Sequence, residues 1–217
     1  MINSRQKYLS ITFLILSIIF FSIFIITLNI NTTIFDENLF HKEFEKHNVY
    51  TTLKDYNINN INKEVLAYLD NKATLQNSFF TPREISHLQD VKNLITKIKS
   101  LLYISLFLAV ISLALLYVLD KKAFPKKIYI ILLSSGILIL ILNLLLIISV
   151  TFNFTSSFDK FHRIFFTNET WLFNPETEKI VVLYPFGLFY DFGAKIITNS
   201  IIASIILIAV SIIRKNI

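Results

Sequence analysis

The sequence predicts an all-α membrane protein in which four transmembrane helices carry a small extracytoplasmic α+β cap. Three observations predict it. Four uncharged, mostly apolar stretches reach the roughly 20 residues a helix needs to cross a bilayer. Hydrophobic residues make up 54% of the 217 and charged residues 17%, so the chain is more apolar and less charged than a soluble domain. The basic residues fall mostly on one side of the expected layer, as the orientation rule for membrane proteins requires. With no cysteine, three glycines and four prolines, disulfide-rich, zinc–cysteine and collagen-like classes are excluded.

Taken in order, residues 1–7 form a cytoplasmic N-terminus and residues 8–30 the first span. That span follows Arg5 and Lys7, as a signal peptide would, yet it is longer than a signal core and no Ala-x-Ala-like site follows it. It reads as a retained anchor. Residues 31–99 form an extracytoplasmic helical loop, 100–119 the second span, 120–127 a cytoplasmic turn and 128–150 the third span, which contains Asn143. Residues 151–193 form an extracytoplasmic hairpin loop, 194–213 the fourth span and 214–217 a cytoplasmic C-terminus. The cytoplasmic segments hold eight basic residues against Asp120 alone, whereas the outer side, counted to Lys195, holds thirteen basic and fourteen acidic residues. Anionic lipid headgroups are the natural partner of the basic side; nothing supports nucleic acid. Apart from Lys195 at the outer end of the fourth span, no Asp, Glu, Lys, Arg or His lies within a span, which argues against an ion or proton pathway. The serines, threonines and Gly136 in the spans suit helix packing.

In the first outer segment, residues 37–47 read as a helix with Phe40 and Phe44 on one face, and 61–70 as another with Ile61, Val65, Leu66 and Leu69 as its apolar stripe. Residues 57–60 read as a turn. Thr81, Pro82 and Glu84 then form a capping box with proline at the first helical position. Ile85, Leu88, Val91, Leu94, Ile95, Ile98 and Leu102 recur at spacings of three and four, so one helix of about 57 Å is expected over 82–119. In the second outer segment, 171–173 and 179–184 around the turn 174–178 read as a β-hairpin, with Ile180, Val181 and Val182 supporting its second strand. Pro185 ends it, and an aromatic run, 188–190, leads to the last span.

All four histidines lie in the outer segments. His41 and His47 sit on a charge-rich helix and read as surface residues. His87 stands three residues after Glu84 and three before Asp90, so both acids share its helix face and can orient its ring and raise its pKa. His162 stands among Phe161, Phe165 and Phe166, a partly desolvated setting. Phosphate loops, nucleophile elbows and His-Glu-x-x-His are missing, and a cysteine nucleophile is impossible. Glu-x-x-His occurs once where a paired di-metal pattern needs two, so no metal is expected at these residues.

Two outer motifs carry a resemblance. Residues 60–92, with Tyr68-Leu69 and Glu84-x-x-His87-Leu88-x-Asp90-Val91-Lys92, resemble the bacterial lipoprotein intramolecular transacylases. So does Phe161-His162-x-x-Phe165-Phe166 followed by Trp171-x-Phe173 and the 185–189 segment, as does the layout of four spans with two outer loops. At the position after Pro185, where the resemblance implies an acid, this chain has Phe186. The resemblance implies an acyltransferase of the bacterial cell membrane. It would move the sn-2 acyl chain of a lipoprotein's diacylglyceryl-cysteine onto that cysteine's α-amino group, giving the lyso form without a cofactor or soluble acyl donor. His87 and His162 would be catalytic, Glu84 and Asp90 supporting, and Trp171, Phe165, Phe166 and Tyr68 substrate-binding. His87 would provisionally be the base and His162 the oxyanion or leaving-group partner, or the reverse. The partners would be a diacylated lipoprotein and membrane lipids. Two rivals remain at this stage: a histidine-dependent membrane lipid hydrolase, and a non-catalytic scaffold or sensor with an outer binding domain.

Overall fold

The computed structural model describes residues 4–75 and 78–215, without the side chains at 149, 150, 152, 214 and 215. The outermost residues of the expected cytoplasmic ends, 1–3 and 216–217, and the side chains of Arg214 and Lys215 lie outside the described residues.

The described chain is helical: α1 (Ser4–Ile34), α2 (Glu37–Lys46), α3 (Val49–Thr52), α4 (Ile58–Leu69), α5 (Pro82–Leu119), α6 (Phe124–Phe152), α7 (Phe154–Phe165), α8 (Ile180–Leu183) and α9 (Phe186–Lys215). Four of these are long and apolar enough to cross a membrane, over Ser4–Ile34, Pro82–Leu119, Phe124–Ile148 and Phe186–Ile213. This is a multi-pass membrane protein. By their contacts the helices divide into two units, one of residues 1–30, 99–148 and 197–217, the other of 31–98 and 149–196.

Within the first unit the polarity of a soluble core is inverted. Ser17, Ser22, Ser105, Ser135, Ser200 and Ser204 are buried, while Phe107, Val118, Leu145 and Ile213 are exposed. A lipid-facing surface gains nothing from hiding large apolar groups, so close packing by small residues decides which face turns inward. Three of the buried hydroxyls bond within their own helices: Ser17 donates to the Phe13 carbonyl (2.7 Å), Ser22 to Ile18 (2.8 Å) and Ser204 to Ser200 (2.7 Å). Asn29 on α1 donates to the Ser200 hydroxyl on α9 (2.6 Å), and Ser135 on α6 to the Ile18 carbonyl (3.3 Å). A Cβ at Gly136 would stand 2.7 Å from Ile208 Cγ1 and 3.0 Å from the Ser204 carbonyl oxygen. Gly136 therefore lets α6 and α9 approach backbone to backbone.

The second unit has a conventional core. Phe40 and Phe44 from α2, Ile61, Val65, Leu66 and Leu69 from α4, and Leu88 and Ile95 from α5 are buried together with Ile180, Leu183, Leu188 and Phe192. The expected stripes thus face inward. Asp36 caps α2 by accepting from Leu39 N (3.1 Å), and Asn57 caps α4 by accepting from Asn60 N (3.1 Å). Residues 57–60, expected as a turn, are therefore the start of α4.

Two expectations fail here. No strand occurs among the described residues, so the α+β cap is corrected to an all-helical one. The backbone groups a hairpin ladder would need are taken by α5. Arg83 Nη2 donates to the carbonyls of Leu172 and Glu169, and Glu84 Oε1 accepts from Ile180 N (2.6 Å). With Ile180 N–H held, residues 180–183 wind into the single turn α8, overriding the β preference of their branched side chains. The second miss is α7, whose residues were expected in a strand-and-turn segment. Asn153 caps it through Ser156 N (2.9 Å), and Phe154, Phe158, Phe161 and Phe165 follow at helical spacing.

The capping box is present and does more than cap. Thr81 N donates to Glu84 Oε2 (2.6 Å) and Glu84 N to Thr81 Oγ1 (3.3 Å), while the other carboxyl oxygen holds Ile180 N. Glu84 is fully buried. Glu84→Ala would strand the buried Ile180 N–H and remove the part-buried bond from Thr81 N, and is expected to lower unfolding stability by about 1–3 kcal/mol. Thermal unfolding of the purified protein in detergent checks this; an unchanged midpoint would contradict it.

Candidate active site

The first turns of α5 present Arg83, His87 and Asp90, spaced by four and three residues, along one helix face. The outer two of these fasten the same loop. Arg83 grips the Leu172 and Glu169 carbonyls and stands 3.6 Å from Glu178 Oε1. Asp90 Oδ2 accepts from Asn168 Nδ2 (2.8 Å). Between the two fastenings the loop lays Trp171 and Phe173 over the site, and α7 supplies His162 from its last turn.

The result is a pair of stacked imidazoles in an aromatic enclosure. The His87 and His162 rings lie 6.1 Å apart, 25° from parallel. Phe166 and Phe173 meet His87 edge-on at 5.1 and 5.3 Å. Trp171 lies 4.8 Å from His162, and Phe158 4.2 Å on the same helix. Both histidines are 8% exposed. An opening of about 260 Å³, lined by Arg163, Phe166, Asn168 and Trp171 among others, shares two of these walls.

Hydrogen bonding distinguishes the two rings. His162 Nδ1 lies 2.8 Å from the Phe158 carbonyl oxygen, an acceptor only, so Nδ1 carries the hydrogen and the neutral ring keeps its Nε2 lone pair. His87 Nδ1 is buried without a hydrogen-bond partner. Such an atom in a native site awaits a group the protein does not itself contain. Burial pushes His87 down to about 4, helped by the neighbouring His162 and opposed by Asp90. Burial likewise holds His162 below the usual histidine range, against the Phe158 carbonyl and Asp159. At neutral pH both rings are uncharged.

The other expected residues divide. Trp171 and Phe166 wall the histidine pair. Phe165 does not: it is half exposed and packs on Phe161 at 4.8 Å. Tyr68 is buried in the core, donating to Gln89 Oε1 (2.6 Å) with Lys92 Nζ 4.1 Å over its ring, and is not brought onto the pair. Glu84 spends both carboxyl oxygens on backbone N–H groups, so it supports the helix start rather than the imidazole. Asp90 acts on His87 through charge while its hydrogen bond goes to the loop. Arg83 and Phe158 line the site and were not singled out, with the spacing of Arg83 from His87 the available signal; Phe173, quoted above only within the Trp171-x-Phe173 motif, lines it too. His47, expected on the surface, is partly buried and bonds Asp191 Oδ2 at 2.7 Å. His41 is exposed and meets the Tyr50 hydroxyl at 2.8 Å.

Because the folded protein holds His87 below its unfolded value of 6.5, the unfolded chain binds the extra proton first as pH falls. Stability is therefore fully present above about pH 6.5 and is lost progressively toward about pH 4. Histidine NMR of the detergent-solubilised protein should show the His87 ring neutral at pH 6. Signals of a protonated His87 at that pH would contradict the assignment.

Comparison with known proteins supplies the context. The family described as lipoprotein intramolecular transacylase Lit matches residues 15–189. An uncharacterized protein of Aquifex aeolicus (strain VF5) is 28% identical over 147 residues, 67% of this chain; the match spans 63% of that protein's length. Among solved structures, the membrane-integral lipoprotein intramolecular transacylase Lit of Bacillus cereus superposes with a TM-score of 0.83 at 23% identity, covering 97% of this chain and 99% of that one. A variant of the Bacillus cereus protein, with one histidine replaced by arginine, superposes at 0.79 and 21% identity over 97% and 95% of the two chains.

Proposed function

The chain belongs to the lipoprotein intramolecular transacylase Lit family, and from that premise we propose that it moves the sn-2 acyl chain of a diacylglyceryl-cysteine lipoprotein onto the cysteine's own α-amino group. The observation that carries the proposal is the pair of neutral, buried, stacked histidines, one with a fixed tautomer and one with an unclaimed nitrogen.

The chemistry suits such a pair. The attacking amine and the ester belong to the same substrate, so the enzyme needs no nucleophile; proximity supplies much of the acceleration. The amine nitrogen bonds the sn-2 carbonyl carbon, and His162 Nε2 takes the proton the amine must lose. His87 donates a ring N–H to the oxyanion that forms. When the intermediate collapses, the carbon–oxygen bond breaks and the imidazolium of His162 returns its proton to the departing glyceryl oxygen. One amide and one alcohol replace one ester and one amine, with no net proton. This reverses the provisional assignment of His87 as base, because the Phe158 carbonyl leaves the Nε2 lone pair on His162.

Phe158, Phe166, Trp171 and Phe173 make the site inhospitable to water, which favours aminolysis over hydrolysis. The supporting groups are Asp90 and Arg83, which hold the aromatic loop. Trp171 and Phe166 bound the acyl chain. Phe165, Tyr68 and Glu84 have no part in the proposed chemistry. The charge distribution supports an orientation with the 120–127 turn in the cytoplasm, the spans bounded as given above, and the histidine pair on the extracytoplasmic side.

Expressed in a bacterial host lacking its own N-acylating enzyme, the protein should leave the mass of a diacylated lipoprotein unchanged while mass spectrometry of the N-terminal peptide finds one acyl chain on nitrogen. His87→Ala and His162→Ala should each reduce this at least about 100-fold at matched membrane levels. Arg83→Met should reduce it less, with the fold intact. Free fatty acid as the main product would instead establish a hydrolase, and an undiminished double histidine variant a non-catalytic role.

A further inference from the structure

Away from the histidine pair, α2 and the start of α9 build a second cluster. Glu43 and His47, four residues apart, project from one face of α2 and its C-cap, and Asp191 meets them from α9. One oxygen or nitrogen atom of each lies within 4.8 Å of the others. His47 Nε2 stands 2.7 Å from Asp191 Oδ2 and 3.7 Å from Glu43 Oε2. These separations bracket the roughly 3.4 Å expected between ligands of a tetrahedral ion bound at about 2.1 Å. Glu43 is 4% exposed, and its Oε2 has no hydrogen-bond partner. A buried oxygen aimed into a set of donors without a partner is the mark of an absent cation or donor.

We propose that Glu43, His47 and Asp191 form a binding site for a divalent transition-metal cation of the zinc type. One imidazole and two carboxylates suit that chemistry. Gly187 makes room for it: a Cβ there would overlap the His47 ring. An open groove of about 460 Å³, lined by Phe154, Phe186 and Tyr190 among others, adjoins the cluster and leaves a coordination position for water. Lys46 brings a positive charge to the two carboxylates, its Nζ lying 2.6 Å from Asp191 Oδ1 and 3.6 Å from Glu43 Oε2. Its side chain is 52% exposed and free to swing into water when an ion enters. A bound ion would then tie the end of α2 to the first turns of α9, independently of the acyl-transfer chemistry.

The test uses full-length protein in detergent carrying His87→Ala and His162→Ala, so that those rings cannot bind metal. After chelator treatment and dialysis against Zn²⁺, bound zinc is measured by elemental mass spectrometry and affinity by calorimetry. One equivalent per chain is expected, at least tenfold weaker with His47→Gln or Asp191→Asn and at least threefold tighter with Lys46→Met, which removes the competing ammonium. Less than a tenth of an equivalent in the double-variant protein and in its Lys46→Met derivative would overturn the proposal. So would zinc retained undiminished after His47→Gln. Binding only with Lys46→Met would overturn it as well, by showing that the lysine is the cluster's own cation.

Discussion

The arrangement of the second unit depends on one buried carboxyl group. Glu84 closes the first turn of α5 through Thr81 N and, with its other oxygen, holds Ile180 N, ninety-six residues away in sequence. That bond ties the segment after α7 to the turn that carries His87. Arg83 beside it takes the carbonyls of residues 169 and 172, and Asp90, two turns further on, takes Asn168. A loop without regular structure is thereby fixed at three points along one helix. What those points hold in place is the wall of rings over the two imidazoles.

On the proposed mechanism, the enclosure explains why two histidines would suffice. Charged general bases would be costly to bury among Phe158, Phe166, Trp171 and Phe173. Imidazole is neutral when buried and still exchanges a proton, and desolvation keeps it so: His87 lies near 4 and His162 is also lowered. Weak basicity is tolerable because an α-amino group, with a pKa of about 7.7–8.0, is partly deprotonated at neutral pH already. On that mechanism the same apolar walls that depress the histidines would keep water from competing with the amine. The site thus limits side reactions through the feature that sets its proton chemistry.

Local signals made much of this legible in the sequence. Thr81, Pro82 and Glu84 announced the start of α5, uninterrupted spacing carried it to Leu119, and Phe40 and Phe44 marked the buried face of α2. Hydropathy alone found the four long helices. The failures have a common cause, in that each depended on a distant partner. The run from Ile180 to Val182 has strand-forming side chains, but Glu84 claims its first N–H. Glu84 itself looked able to serve His87 until Ile180 took its second oxygen. His47 read as a solvated residue because nothing in α2 reveals Asp191, 144 residues on. The helix α7 was different: Asn153 and the phenylalanine spacing were visible within the segment expected as a hairpin loop.

The central claim is that donor ester and acceptor amine belong to one molecule and that no acyl group passes through the protein or the lipid pool. A crossover experiment tests it most directly. Two diacylated lipopeptides of different sequence, one with isotopically heavy acyl chains and one with light, are mixed with the purified protein in proteoliposomes. The account predicts that each N-acylated product keeps its own label. Heavy chains on the light peptide's nitrogen would contradict it, showing transfer between molecules or through an acyl-enzyme.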